Sequence, residues 1–387
     1  MGKRLLIAGG GTGGHVYPGI AVAEEWLSFE PGNQVRFVGS AHGIEARVVP
    51  EAGYALETIR VWPVAGKGFL DRLRGFLVLP LSLGQSLAVF WRFRPDVVLG
   101  TGGYVSGAPL LAARLWRLPT AIQEQNSVPG VTNVILGRMV DRVFINLEMS
   151  RASFPRADRE GKIILAGNPI RRAIREKLEA ARLNPRPNHR LCLLVIGGSQ
   201  GARRLNNRVL EAMAHLRQFK ESIKIIHQTG SGDVLETVST YAKLDFRARV
   251  QEFITNMAAA LAEADIVISR AGAGAVAEIA LAGKPSILIP FPFAAADHQA
   301  KNAKAMVQAG AAKMFRENDL TGPALAEALR PLLTDAALRQ EWGAKAYALA
   351  MPQAARVVVQ GLYDLLESKS VIQNPKSKIP NSEGPEP

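Results

Sequence analysis

The chain has 387 residues, 48% hydrophobic and 21% charged, a globular composition long enough for two or three domains, so a wholly disordered chain is excluded. The net charge of +13 calls for an anionic partner. Arg and Lys punctuate apolar stretches rather than forming one dense run, which suits an anionic membrane surface better than nucleic acid.

Residues 4–8 read as a first strand, too short and too soon broken by glycine to be a signal peptide. The strand enters Gly9-Gly10-Gly11-Thr12-Gly13-Gly14-His15, ahead of a helix expected from near Pro18. Glycines let backbone N–H groups approach an anion, and a following helix N-terminus favours negative charge. Gly9-x-Gly11-x-x-Gly14 also matches a dinucleotide fingerprint. However, the next strand, 34–38, leads into Gly39-Ser40-Ala41-His42 with no acidic residue, which disfavours a nicotinamide cofactor. His15 emerges at the carboxyl end of a strand, where it could donate to a phosphate or move a proton.

Phe69, Leu70, Leu73, Phe76 and Leu77 recur at helical spacing beside Lys67, Arg72 and Arg74, so a helix over 69–79 faces either the core or a membrane surface. The apolar stretch 76–90 is the nearest to a bilayer span. It contains Pro80, Ser82, Gly84 and Gln85, and it falls short of the roughly 20 apolar residues required. Strands at 97–99, 120–122 and 142–145 complete a first series. The second precedes Gln123-Glu124-Gln125-Asn126, where Glu124 is either a site group or a cap. Strand, loop and helix in repetition predict a parallel sheet covered on both faces.

The pattern restarts near Gly167-Asn168-Pro169. After a proline-rich loop at 184–189, strands are expected at 191–196, 224–227, 250–253, 266–269 and 286–289. Cys192, the single cysteine, lies in an apolar run, cannot form an internal disulfide and reads as a core residue of a protein in a reducing compartment. Gly197-Gly198-Ser199-Gln200-Gly201 offers a hydroxyl and backbone donors suited to a pyrophosphate, without the Gly-Lys-Ser/Thr ending of a Walker motif. Small residues from Ala271 to Ala277 open a helix with Glu278 one turn in, either as a ribose acceptor or as a helix-dipole glutamate. Asp297-His298-Gln299, with Lys301 and Asn302, suits sugar hydroxyls or an ordinary polar helix start. Asp-x-Asp, His-x-x-x-His and a cysteine pair do not occur, so no metal site is expected. The fold class is α/β: two doubly wound domains, 1–165 and 166–348, followed by a disordered tail at 368–387.

In order along the chain, AGGGTGGHVYPGIAVA, VLGTGGYVSGAP, EQN, GNPIR, IGGSQGARRLN, EFITNMAAALAEADIVISRAGAGAVAEI and DHQAKNA resemble the MurG family of UDP-N-acetylglucosamine–N-acetylmuramyl-(pentapeptide) pyrophosphoryl-undecaprenol N-acetylglucosamine transferases, over residues 3 to 360. The resemblance implies a GT-B fold, two Rossmann-like domains facing across a cleft. The first would be the acceptor and membrane-facing domain and the second would hold the UDP sugar, with a final helix at about 349–367 packing back on the first. It implies an inverting, metal-independent transferase without cofactor. N-acetylglucosamine would pass from UDP-N-acetylglucosamine to the 4-hydroxyl of the muramyl sugar of lipid I, giving lipid II and UDP. It also implies a role in peptidoglycan synthesis, cell shape and division, and a peripheral place on the cytoplasmic face of the inner membrane. Oligomeric state and protein partners stay open.

By the same resemblance, Thr12, Gly13 and Gly14 should lie near the donor sugar and acceptor pyrophosphate, with His15 and Asn126 on the acceptor side. Arg171 and Ser199 should stabilise the departing diphosphate. Ile254 should meet uracil through its backbone, and Glu278 should bind ribose. The neighbouring Ala273, Gly274, Ala275, Val276 and Ala277 should line the donor, and Gln299 should read the sugar hydroxyls beside His298. The general base is His15 or, second, Glu124. Gln123, Ala277 and Ala296 stand where the family usually has His, Ser and a second acid. Rival readings are another GT-B transferase, a sugar-nucleotide epimerase and a nucleotide-binding protein without catalysis.

Overall fold

The computed structural model describes residues 2–62, 69–184, 190–198 and 201–373, of which 69–76 and 369–373 through their backbone alone. Ser199 therefore lies outside the described residues, as do 185–189 of the proline-rich loop and 374–387 of the expected tail.

The first domain runs β1 (Arg4–Gly9), α1 (Gly13–Phe29), β2 (Gln34–Gly39), α2 (Glu45–Glu51), β3 (Leu56–Thr58), α3 (Phe69–Phe93), β4 (Val97–Gly102), α4 (Gly107–Leu115), β5 (Thr120–Glu124), α5 (Val131–Leu136), β6 (Arg142–Ile145), α6 (Pro155–Arg159) and β7 (Ile163–Leu165). Its sheet is parallel, in the order β3-β2-β1-β4-β5-β6-β7. Alternate residues of β1 feed opposite layers, as the period of a strand requires. Leu6 and Ala8 pack with Val98, Ile122 and Phe90 of α3. Leu5 and Ile7 pack with Val97, Leu99 and Trp26 of α1.

The second domain runs α7 (Arg172–Leu183), β8 (Leu191–Ile196), α8 (Arg203–His215), β9 (Ile223–Gln228), α9 (Val234–Lys243), β10 (Arg247–Gln251), α10 (Met257–Glu263), β11 (Ile266–Ser269), α11 (Ala273–Ala282), β12 (Ser286–Leu288), α12 (His298–Gln308), β13 (Ala312–Met314), α13 (Gly322–Thr334) and α14 (Ala336–Ala348). Its parallel sheet has the order β10-β9-β8-β11-β12-β13. Leu193 and Val195 face α8 and α13, whereas Cys192, Leu194 and Ile196 face α10 and α11.

The last helix, α15 (Ala354–Gln373), returns to the first domain and packs on α1. Tyr363 lies between Trp26 and Phe29, with ring centroids at 4.9 and 4.7 Å. Its hydroxyl accepts from Asn33 Nδ2 at 2.7 Å. Val358, Val359 and Leu362 complete the core layer on that face of the sheet. The chain thus crosses between domains at 166–171 and again at 349–353. The two crossings touch: a Cβ on Gly167 would sit 2.6 Å from that of Met351.

Several boundaries differ from expectation. The three-residue strands β3, β7 and β13 are too short to show a period of two. β5 continues through Glu124, and β10 begins three residues before the expected 250–253 and ends two residues before it does. α1 begins at Gly13 and carries Pro18 inside it, with the loss of one bond to the Gly14 carbonyl. α15 continues to Gln373, so helix occupies the first residues of the expected tail. Among the described residues, no helix is long and apolar enough to cross a membrane.

Candidate active site

In each sheet, two central strands have connections that leave in opposite directions: β1 and β4 in the first domain, β8 and β11 in the second. Loops diverge at the carboxyl ends of such strands and open a crevice there. The two crevices meet, because Ser127 N–H donates to Asn302 Oδ1 at 2.9 Å and Asn302 Nδ2 reaches Asn126 Oδ1 at 3.3 Å across the domain boundary.

On the first wall, α1 starts with Thr12 in extended conformation, with no side-chain cap and no acidic residue in its first turn. Thr12 and Gly14 are exposed, so the N–H groups of this helix end remain available to an anion. The preceding glycines do something else. Gly11 N–H donates to the buried carboxylate of Glu45 at 2.8 Å, and Ser40 N–H donates to the other oxygen at 2.9 Å. A Cβ on Gly10, Gly39 or Gly43 would lie 2.3, 2.6 or 2.1 Å from the Glu45 side chain. These glycines make room for a carboxylate that anchors the loop.

His15 lies over Gly102, whose φ of +106° and closeness to the imidazole, 2.7 Å from a Cβ to Nδ1, both require glycine. The same Nδ1 is 3.1 Å from Gln125 Oε1. Glu124 is 1% exposed, and its Oε1 accepts from Asn126 N–H at 2.9 Å while Oε2 accepts from Asn133 Nδ2 at 2.8 Å and Gly130 N–H at 3.2 Å. Both oxygens of this buried carboxylate are thus engaged in holding the 126–130 loop.

On the second wall, the turn after β8 has Gly198 at φ +94° and Gly201 at φ +79°. Gln228 Nε2 donates to the Gly198 carbonyl at 2.7 Å, and its Oε1 accepts from Ile254 N–H at 3.3 Å. The Ile254 N–H is therefore engaged, its side chain is in the core, and its carbonyl is the group left for a ligand. α11 begins after Gly272 with no side-chain cap. Ala273, Val276 and Ala277 line a cavity of about 40 Å³ shared with Asn146, Asn168 and Asn302. Val276 N–H is bonded to the Gly272 carbonyl at 3.0 Å, so the N–H groups that this helix start leaves for a ligand are those of Ala273, Gly274 and Ala275. Burial pushes the Glu278 carboxyl up to about 7, opposed by the nearby Arg171 guanidinium. Arg171 is held by stacking on Tyr17 of α1, 4.6 Å from the ring centroid. It thus leads into α7 of the second domain, and its guanidinium is braced across the boundary by Tyr17 of the first.

Gln299 Oε1 accepts from Ala271 N–H at 3.2 Å and Phe291 N–H at 2.9 Å, which leaves its amide nitrogen to donate. Asp297 forms a bidentate pair with Arg316 at 2.7 Å. Arg270, nearly buried and missed by motif reading, donates to the Ile289 and Pro290 carbonyls at 3.2 Å and pairs with Glu317, tying down the strand end that leads to Gln299. Glu45, Gln228 and Arg270 act through backbone, which no side-chain motif signals. The position of Gln125 between Glu124 and Asn126 was the one available hint.

Two family models match in tandem: the glycosyltransferase family 28 N-terminal domain over residues 5–145 and its C-terminal domain over residues 192–358. A Myxococcus xanthus protein named UDP-N-acetylglucosamine–N-acetylmuramyl-(pentapeptide) pyrophosphoryl-undecaprenol N-acetylglucosamine transferase is 47% identical over 94% of this chain and 93% of its own length. The crystal structure of Acinetobacter baumannii MurG is similar with a TM-score of 0.74 and 31% identity, covering 94% of this chain and 99% of that one. A Neisseria meningitidis UDP-GlcNAc 2-epimerase bound to UDP-GlcNAc shares the fold alone, with a TM-score of 0.65 and 12% identity over 94% of this chain and all of that one.

Proposed function

The chain belongs to the MurG family, and we propose that it carries out the reaction in that family's name: transfer of N-acetylglucosamine from UDP to the muramyl sugar of undecaprenyl-pyrophosphoryl-N-acetylmuramyl-pentapeptide. One observation carries the reading at the level of the site. A helix N-terminus and His15 stand on one wall of the cleft, and a second helix N-terminus, Arg171, Glu278 and Gln299 stand on the other.

In this reading the C-terminal domain holds UDP-N-acetylglucosamine. The Ile254 carbonyl meets the uracil N3–H. Glu278, once ionised, accepts the two ribose hydroxyls. The α11 N-terminus, the 197–201 turn with Ser199, and Arg171 take the diphosphate, and the free amide nitrogen of Gln299 donates to the sugar. Thr12, Gly13 and Gly14 cradle the acceptor pyrophosphate, with Asn126 beside them. The acceptor 4-hydroxyl loses its proton to His15 as its oxygen bonds to the anomeric carbon. The bond from that carbon to the phosphate oxygen breaks on the opposite face, and its electron pair leaves with UDP. One displacement inverts the anomeric centre. Arg171 and the α11 dipole supply the positive charge a leaving diphosphate needs, which supports a metal-independent mechanism.

Peripheral association with an anionic bilayer, at the cytoplasmic face, is supported by exposed Leu77, Leu81, Trp91, Leu115 and Trp116 among Arg94, Arg114 and Arg117. The expected 69–79 segment is the start of α3, with the side chains of 69–76 outside the described residues. The product would be lipid II, which places the enzyme in peptidoglycan synthesis and so in cell shape and division.

The test is UDP release from UDP-N-acetylglucosamine with and without lipid I, in the presence of a chelator. Lipid-I-dependent release that survives chelation is the expected outcome. No UDP release, with conversion of UDP-N-acetylglucosamine to its 2-epimer, would favour the epimerase reading, and donor binding without turnover would leave a binding protein.

A further inference from the structure

Gln125 is 1% exposed and lies directly behind His15. Its amide nitrogen is 2.7 Å from the Thr101 carbonyl oxygen and 3.2 Å from that of Gln123, and it also donates to Gln123 Oε1. Carbonyl oxygens only accept, so this end of the amide must be the NH₂ group. The oxygen is then the end that faces His15 Nδ1. An amide oxygen only accepts as well, so Nδ1 carries the hydrogen and, in the neutral ring, Nε2 is bare. The same polarity continues backwards: Gln123 Nε2 reaches the Gly167 carbonyl at 3.4 Å, in the crossing between the domains.

We propose that Gln125 is a positioning residue that holds His15 in its Nδ1–H tautomer, so that Nε2 is the atom that accepts the proton of the attacking hydroxyl, and that Gln123 ties this arrangement to the interdomain crossing. The hydroxyl proton moves to Nε2, giving an imidazolium whose Nδ1–H still donates to Gln125, and the proton leaves to solvent after UDP departs. The opposite tautomer, the one free histidine favours, would present a hydrogen where a lone pair is needed. The assignment of the proton acceptor rests on the transferase reading above. The tautomer does not, and it is measurable without turnover.

The experiment is ¹⁵N NMR of the full chain labelled on histidine at a pH where the ring is neutral, with His15 identified among the six histidines by His15→Gln. The expected spectrum shows a protonated Nδ1 and an unprotonated Nε2 for His15. Gln125→Met, which keeps the volume and removes the acceptor, should move the signal towards the Nε2–H form and lower kcat by about 10²-fold with the donor KM unchanged. A wild-type His15 protonated on Nε2 would overturn the proposal. So would a Gln125→Met protein of native fold and UDP affinity that keeps the original tautomer or its kcat. Should that variant not fold, the wild-type spectrum alone decides. Absence of lipid-dependent turnover in the wild type would strike the transferase reading and leave the tautomer result standing.

Discussion

The two walls of the cleft are built by different physical means. The first is largely bonded in advance: Glu45, Glu124, Gln123 and Gln125 are nearly or fully buried and spend their side-chain polar atoms on neighbouring side chains and on the backbone. The second is left open, with an uncapped helix start at α11, one guanidinium stacked on a ring, and a carboxyl that burial keeps near neutrality. A wall that must hold one proton acceptor in one orientation is best frozen in advance. A wall that must grip a charged nucleotide is best left with charge and donors still unmatched.

The largest effect that would test this contrast is loss of His15. His15→Ala should lower kcat by about 10³-fold while the KM for UDP-N-acetylglucosamine stays within a factor of about two, read by steady-state kinetics with lipid I. Arg171→Ala should cost about 10²-fold in kcat, with Arg171→Lys recovering part of it, because the lost charge acts on the leaving group. An Arg171→Ala enzyme weakened only in KM would make the second wall a binding surface alone. Glu124→Gln belongs to the frozen wall: it should lower stability by about 1–3 kcal/mol in denaturant unfolding, since an NH₂ group replaces one of two engaged oxygens, yet keep kcat within about tenfold. A larger kcat loss at native stability would favour Glu124 as the base.

Glu278 sharpens the comparison through pH. Its carboxyl, raised from the usual value to about 7, is protonated more often in the fold than in the unfolded chain. Its contribution to stability is therefore fully present below the unfolded value and is lost as pH rises through about 7. Ribose recognition runs the other way, because two hydroxyls need an ionised acceptor. UDP affinity measured by calorimetry should rise as pH increases through about 7, and Glu278→Gln should flatten that dependence and weaken binding by about tenfold. The smallest effect lies outside the cleft. Trp91→Ser with Trp116→Ser should weaken binding to anionic vesicles by about tenfold, with turnover of a short-chain soluble acceptor unaltered.

Most of the fold was legible because buried parallel strands read as apolar runs that end in glycine, as 4–8 and 191–196 do. The edge strands β3 and β7 were not, since three residues carry no period. At the site, Thr12, His15, Arg171, Glu278 and Gln299 could be named as candidates because each follows a strand end in a motif whose residue types suit a phosphate or a sugar. The surroundings of Glu124 were not legible: sequence shows that a carboxylate sits at a strand end but not that its oxygens turn inward to Asn133 and Gly130. The glycine loop at 9–14 combined two tasks under one motif. Gly10 and Gly11 accommodate and bind Glu45, a partner 34 or 35 positions away, which composition cannot reveal.

Because α15 returns to α1, the second domain is an insertion in the first, joined to it by two covalent strands that touch at Gly167 and Met351. A single cut in either strand would leave the protein in one piece, with the halves still held at high effective concentration. Two adjoining pivots also restrict how the halves can move. Rotation about the line through them opens the mouth of the cleft, whereas sliding one half along the other would stretch one strand and slacken its neighbour. The geometry therefore favours a book that opens at its spine, with donor and acceptor brought back into the same register at each closing.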